Sequence, residues 1–338
     1  MIREITINSG SDIEWSVVPS KEQYIIKRTN NKDSVQIPVC VITGNLPGPT
    51  FTVMSGMHAG EYSGIFAAHE LISNITPDQL SGRLIIIPII STRAFFERSM
   101  QISPVDEKEI HFLIPGKPNG TYSDLLIDTL FEIVKESDYL IDLHSGEMIQ
   151  SLIPWVPIPM LGNVDMQNKA VSLAKGYRVD YLEYRYELNS IPPLCLEFAN
   201  AGIVNIWVEI GKNGIPDPSD ISTHYDGLIS ALKTVGSLKG KPDRPKHKIL
   251  KGRRYQINAS ESGVWHSYVK EGQIVQKGEL LGKLTDIFGN LIQEYRASKR
   301  SFVFYYWTSP AINIDRKPHG YDWHTGLVSL LELEDDSL

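Results

Sequence analysis

The sequence predicts an α/β protein with a mixed, mostly parallel sheet covered by helices and a small all-β C-terminal domain. Three observations carry this. Short apolar runs rich in Val and Ile, each bounded by turn residues, recur through the first two thirds of the chain. Segments with helical spacing lie between them. After a basic stretch that contains prolines, the texture changes to alternating runs broken by glycine turns.

The apolar runs at 38–43, 51–57, 83–90, 139–144 and 205–210 are continuous rather than alternating. That is the pattern of strands buried on both faces, as in a parallel sheet. The segments 65–73 (IFAAHELIS), 123–135 (SDLLIDTLFEIVK) and 226–235 (DGLISALKTV) repeat their apolar residues at helical spacing. Strands alternating with helices imply a sheet with helical cover. The stretch 239–248 (KGKPDRPKHK) has two prolines and no apolar face, and reads as a solvated linker. Residues 262–290 then show Glu-Gly, Lys-Gly and Phe-Gly-Asn turns, the mark of a compact β module. We therefore expect a domain over 1–240, a β-rich domain over 241–338 and a frayed acidic tail over 332–338.

With 338 residues, 42% of them hydrophobic, the chain can bury the core of one large domain plus a smaller one. Its net charge of −7 argues against a nucleic-acid partner, which would demand a basic face. A few local charges could still serve a small anionic substrate. The two cysteines, Cys40 and Cys195, lie in separate apolar contexts and read as buried small hydrophobes. The N-terminal MIREITINSG lacks an apolar secretory core, and no apolar run approaches the ~20 residues that span a bilayer. The expectation is a soluble cytoplasmic protein with no membrane partner. No GxSxG, GxGxxG or Walker-type loop is present.

Three motifs carry chemistry. Gly56-Met57-His58-Ala59-Gly60-Glu61 falls where the run at 51–57 hands over to a helix. Ligands gather at the carboxyl ends of strands in open parallel sheets. The H-x-x-E spacing in a turn lets an imidazole and a carboxylate converge on one ion. Asp142-Leu143-His144-Ser145-Gly146 ends a second run with a histidine. A His-Glu-His set leaves a fourth zinc position for water. Asp142, two residues before His144 and on the same strand face, suits a supporting carboxylate that accepts a proton from a metal-bound imidazole. Trp207-Val208-Glu209-Ile210-Gly211 ends a third run with a carboxylate, which needs a partner or a function because unpaired burial is costly.

In these motifs the sequence resembles the succinylglutamate desuccinylase/aspartoacylase family of the zinc carboxypeptidase superfamily. The resemblance runs from about Val39 to about Asp315. It rests on GMHAGEYSG, IIPIISTRAFFERS, SPVD, IPGKPNGT, LIDLHSG and WVEIG, and on GVWHSYVKEGQIVQKGELLG, which is similar to a biotinyl/lipoyl half-barrel. It implies a zinc carboxypeptidase-like fold with one Zn2+ per chain, held by His58, Glu61 and His144. It further implies Glu209 as general base, Asp142 as the aspartate orienting His58, and Arg98 as the arginine polarising the substrate carbonyl.

Two departures concern the substrate. Family members carry Asp-Leu-Asn-Arg before the Phe-Pro-Gly turn, where Asn and Arg grip a substrate carboxylate. Here the stretch reads Glu109-Ile110-His111-Phe112-Leu113-Ile114-Pro115-Gly116. Either another cation replaces the clamp or the substrate has no carboxylate at that position. The first motif is also His-Ala-Gly-Glu rather than His-Gly-x-Glu. His111 and Glu147 are candidate substrate contacts by position. His319 and His324 read as solvated loop residues. The β module lacks a lysine at its Asp286-Ile287-Phe288-Gly289 turn, which argues against lipoyl or biotin carriage.

The leading expectation is a hydrolase cleaving the amide of a small N-acylated amine or amino acid. The alternatives are a metallocarboxypeptidase on a peptide-like substrate and a non-catalytic zinc-binding or interaction protein. A homo-oligomer stays open, with no interface legible.

Overall fold

The structure, a computed structural model, describes residues 2–8, 12–315 and 325–333. His319, His324 and the tail beyond 333 lie outside the described residues.

Ten strands form one sheet in the order β1 (Ile2–Thr6), β2 (Ser20–Thr29), β3 (Ser34–Thr43), β5 (Ser81–Ile87), β4 (Leu46–Ser55), β6 (Tyr139–His144), β10 (Val204–Glu209), β8 (Trp155–Pro159), β9 (Tyr181–Arg185) and β11 (Lys248–Ile249). The contacts of β2 with β3, β3 with β5 and β10 with β8 are antiparallel, and the other pairings are parallel. The sheet is thus mixed and mostly parallel, as its apolar runs predict.

Successive strand residues face opposite sides. Val53, Ile141, Leu143, Ile206 and Val208 pack on one face against α1 (Tyr62–Asn74), α4 (Val164–Ala174) and α6 (Pro218–Thr234). Met54, Ile85, Ile87 and Leu140 pack on the other against α3 (Tyr122–Val134) and α5 (Pro193–Asn200). This double cover explains why the central strands read as unbroken apolar runs. Each fully buried Leu, Ile or Val contributes roughly 1.5–3 kcal/mol. The run at 51–57 ends as a strand at Ser55, because Gly56 takes φ +63° and turns the chain out of the sheet. Helix α6 begins earlier than its apolar stretch, at Pro218. Asp217 caps it by accepting from Ser219 N at 2.8 Å, and proline fits the first helical position.

The C-terminal region folds as two antiparallel sheets. One has the order β16 (Leu291–Arg296), β15 (Leu280–Thr285), β13 (Gly263–Ser267), β18 (Ala311–Ile312). The other runs β12 (Arg254–Asn258), β19 (Gly326–Glu332), β17 (Ser301–Trp307), β14 (Ile274–Val275). Strand β7 (Gln150–Leu152), from the first region, pairs with β17. In return β11, at the end of the basic stretch, pairs with β9 at the edge of the large sheet. No helix among the described residues is long and apolar enough to cross a membrane.

Candidate metal centre and active site

Strands β4, β6 and β10 lie side by side and parallel, so their carboxyl ends meet. His144 ends β6 and Glu209 ends β10, and the two are direct partners in the register. His58 follows β4 in the turn that Gly56 opens. Glu61 is the N-cap of α1, yet its side chain makes no capping bond. Its carboxylate turns inward instead. Oε1 lies 2.9 Å from His58 Nδ1, and Oε2 lies 2.9 Å from His144 Nδ1 and accepts from Ser145 N at 3.1 Å.

All three side chains are buried, and one ligand atom from each lies within 4.8 Å of the others. Two imidazole Nδ1 atoms and a carboxylate directed at one point fit a divalent cation with an open position. The far nitrogen of each imidazole also faces a carboxylate. Glu109 Oε1 is 3.3 Å from His58 Nε2. Asp142 Oδ2 is 2.9 Å from His144 Nε2, at ion-pair distance but without hydrogen-bond alignment. Such partners fix the orientation of ligating histidines.

This arrangement differs from the expectation for Asp142 and His58. Residues i and i+2 share a face of a strand, so Asp142 stands under His144. Glu109 takes the place behind His58. It caps a short 3-10 turn, Ile110–Phe112, and accepts from His111 N at 3.0 Å.

Arg98 is not brought to the cluster. It is the exposed, left-handed C-cap of α2 (Thr92–Glu97), with φ 54°, and does not line the cleft. In this conformation a carbonyl-polarising role for Arg98 has no geometric support. His111 does join the site, its ring 5.1 Å from that of His144 and its Nε2 buried without a partner. Glu147 is buried nearby but faces a separate small cavity of about 40 Å³ with Met100, Ile102 and Trp307.

Burial dominates the electrostatics. It pushes Glu209 up to about 7, with the Glu61 charge adding to the effect and the imidazoles opposing it. It pushes Glu147 up to about 8, again with Glu61 adding. For Glu61 burial acts the same way, but the two flanking imidazoles outweigh it and hold the carboxylate well below its usual range. His111 is driven down to about 4 by burial and by the neighbouring histidines, and so stays neutral.

His58, Glu61, His144 and Glu209 open on a cleft of about 240 Å³. Its walls include Glu109, His111, Phe112, Arg185, Arg254 and Tyr305. The motifs did not reveal Glu109, Arg185 or Arg254 as site residues. Glu109 was visible only as an acid two residues before His111. The two arginines stand in no recognisable motif, and Arg254 belongs to the C-terminal region.

Fold and site together define an α/β protein whose adjacent parallel strands deliver two imidazoles and two carboxylates to one cleft. Solved structures share the fold. A succinylglutamate desuccinylase from Silicibacter sp. TM1040 matches with a TM-score of 0.81 at 22% identity, over 94% of this chain and 97% of its own. The product-bound ectoine utilization protein EutE (DoeB) from Ruegeria pomeroyi matches with a TM-score of 0.81 at 24% identity, over 95% and 97%. The N-alpha-acetyl-L-2,4-diaminobutyric acid deacetylase of Halomonas elongata is 26% identical over 273 residues, 79% of each chain. Residues 47–235 match the succinylglutamate desuccinylase/aspartoacylase catalytic domain, and the chain belongs to that family.

Proposed function

We propose that this chain is a zinc-dependent deacylase that hydrolyses the amide bond of a small N-acylated amino acid, releasing a carboxylate and an amine. One observation carries the reading. The Nδ1 atoms of His58 and His144 each sit 2.9 Å from one oxygen of Glu61, and Glu209 is the register partner of His144 on the next strand. The Halomonas elongata relative, a deacetylase of an N-acetylated amino acid, supports the substrate class.

His58, Glu61 and His144 would hold the ion, with Glu109 and Asp142 keeping the two imidazoles turned toward it. A bound zinc supplies Lewis acidity to an amide carbonyl and acidifies water. Glu209 takes a proton from the attacking water and later gives it to the departing amine nitrogen. A carboxylate raised toward neutrality suits both transfers, because it can accept and release a proton near pH 7.

The test is release of free amine from a panel of N-acyl amino acids by the zinc-loaded protein. Glu209→Gln should keep its bound zinc and lose about 10²–10⁴-fold in kcat. An active Glu209→Gln enzyme would remove Glu209 as the base. A zinc-loaded wild type that releases no amine from any N-acyl amino acid would sink the deacylase reading.

A further inference from the structure

Acidic side chains crowd this end of the sheet: Glu61, Glu109, Asp142, Glu147 and Glu209. A divalent ion between His58, Glu61 and His144 would offset two of these charges. Arg185 and Arg254, which share Glu183 at 2.9 Å each, offset one more. The remainder is negative, which favours a cation as a further guest. Most of these acids are engaged. Glu61, Glu109 and Asp142 each face an imidazole, and Glu209 is placed as the base. Glu147 has no such task.

Glu147 is only 2% exposed. Its Oε2 accepts from Met148 N at 3.2 Å, while its Oε1 is buried with no hydrogen-bond partner. A buried carboxyl oxygen without a donor is costly, and it persists where a ligand supplies one. The carboxyl lines the cavity of about 40 Å³, whose apolar walls are Met100, Ile102, Ile149 and, from β17 of the C-terminal region, Trp307. Gln101 and Gln150 belong to the walls of both this cavity and the cleft, so the two adjoin. The carboxyl also lies against the metal-binding turn, because a Cβ on Gly60, the residue before Glu61, would stand 2.1 Å from its Oε2. Apolar walls suit methylene groups, an aromatic wall suits a cation, and a carboxylate suits an ammonium. A water-sized group needs ~10–15 Å³, so the cavity admits about three heavy atoms. An aminoethyl arm, two methylenes and a nitrogen, has that size. Burial and the Glu61 charge push Glu147 up to about 8. An ammonium beside it would favour the ionised form.

We propose that Glu147 receives a second, unacylated amine of the substrate, carried on a short side chain that enters this cavity from the cleft. The inference rests on the deacylase reading and narrows it to acyl amides that bear a free terminal ammonium. It gives the buried acid a partner and the small cavity an occupant. The size of the cavity sets the length of the arm, so the site selects by chain length as well as by charge.

The experiment compares Nα-acetyl-L-2,4-diaminobutyrate with Nα-acetyl-L-2-aminobutyrate, which has the same carbon chain without the amine, on zinc-loaded wild type and on Glu147→Gln. The substitution keeps the volume and removes a buried acid that lacks a partner, so the variant should melt no lower than wild type. Wild type should favour the diamine by about 100-fold or more in kcat/KM, because a site built for a polar group rejects the analogue lacking it. Glu147→Gln should cut that preference to below about tenfold, mainly by raising KM for the diamine. An undiminished preference in the folded variant would overturn the proposal, as would a wild type that uses the two substrates equally. Nα-acetyl-L-lysine, with an arm two methylenes longer, should be the poorer substrate, and equal use of it would contradict this cavity as the seat of the amine. Calorimetric binding of L-2,4-diaminobutyrate and L-2-aminobutyrate needs no turnover and separates the two claims. If wild type binds the diamine better and Glu147→Gln does not, yet no amide is cleaved, the subsite stands and the deacylase reading fails. If the two bind wild type alike, the subsite fails whatever the activity.

Discussion

Glu209 is a carboxylate raised toward neutral pH at the end of a buried strand, and as the proposed general base its protonation would govern turnover. A general base works in its ionised form, so kcat/KM should climb as pH rises through the Glu209 value, near 7 by burial. A cation bound at His58, Glu61 and His144 would favour the ionised form, so the limb should lie at or below neutrality. A pH–rate profile measures it, and a rate that stays flat from acid to neutral pH would be inconsistent with this base. Asp106 makes a residue-scale prediction about stability instead. Burial would raise its pKa, but it accepts from Ser123 N at 3.0 Å and Ser123 Oγ at 2.6 Å, and from Thr121, and the net effect lowers it below 3.8. A carboxyl whose folded value lies below its unfolded one stabilises the fold above the unfolded value. That stability is lost as pH falls through the folded value. Asp106→Asn should therefore destabilise by about 1–2 kcal/mol at pH 7, through the weakened start of α3. The gap to wild type should shrink toward pH 3. Urea melts at the two pH values check this, and a constant gap would contradict it.

At the scale of elements, the site depends on how closely α1 lies on the sheet. Glu61 begins this helix and His144 ends β6, so the spacing of helix and strand sets the spacing of the donors. Gly64 makes the approach tight. A Cβ added there would stand 2.7 Å from Leu143 Cβ, a contact that only a shift of the helix could relieve. Gly64→Ala should cost about 1–3 kcal/mol by overpacking and should weaken metal retention by moving Glu61 away from His144. Denaturation together with metal content reads both effects, and a variant as stable and as metal-rich as wild type would show that the spacing has slack. Glycine at position 60 follows the same logic on the other side of Glu61, since a Cβ there would lie 2.1 Å from Glu147 Oε2. The small residues of the Gly56–Glu61 turn are thus explained by what surrounds them as well as by backbone freedom.

Across the whole molecule, what the sequence makes legible follows the length scale of the interactions. The runs at 139–144 and 205–210 announce β6 and β10, because strands buried on both faces need apolar residues at every position. His58, Glu61, His144 and Glu209 are legible because each sits where such a run stops, and the sheet order brings those ends together. Partners set by side-chain packing between distant segments are not legible. Nothing local tells Glu109 to reach His58 across 51 residues, whereas the i, i+2 spacing of Asp142 and His144 on β6 already sets those two on one strand face. Arg254 is the extreme case, since it comes to the cleft from β12 of the C-terminal region. The exchange of strands between the two regions, β7 one way and β11 the other, brings that region against the large sheet. The central claim is that one divalent ion binds between His58, Glu61 and His144 while Glu209 faces it. Anomalous diffraction at the zinc edge from crystals grown with zinc tests this most directly. The account predicts one strong peak bonded to Nδ1 of His58, Nδ1 of His144 and the Glu61 carboxylate. A zinc-saturated crystal with no peak between those three side chains, or with its ion seated elsewhere in the cleft, would contradict it.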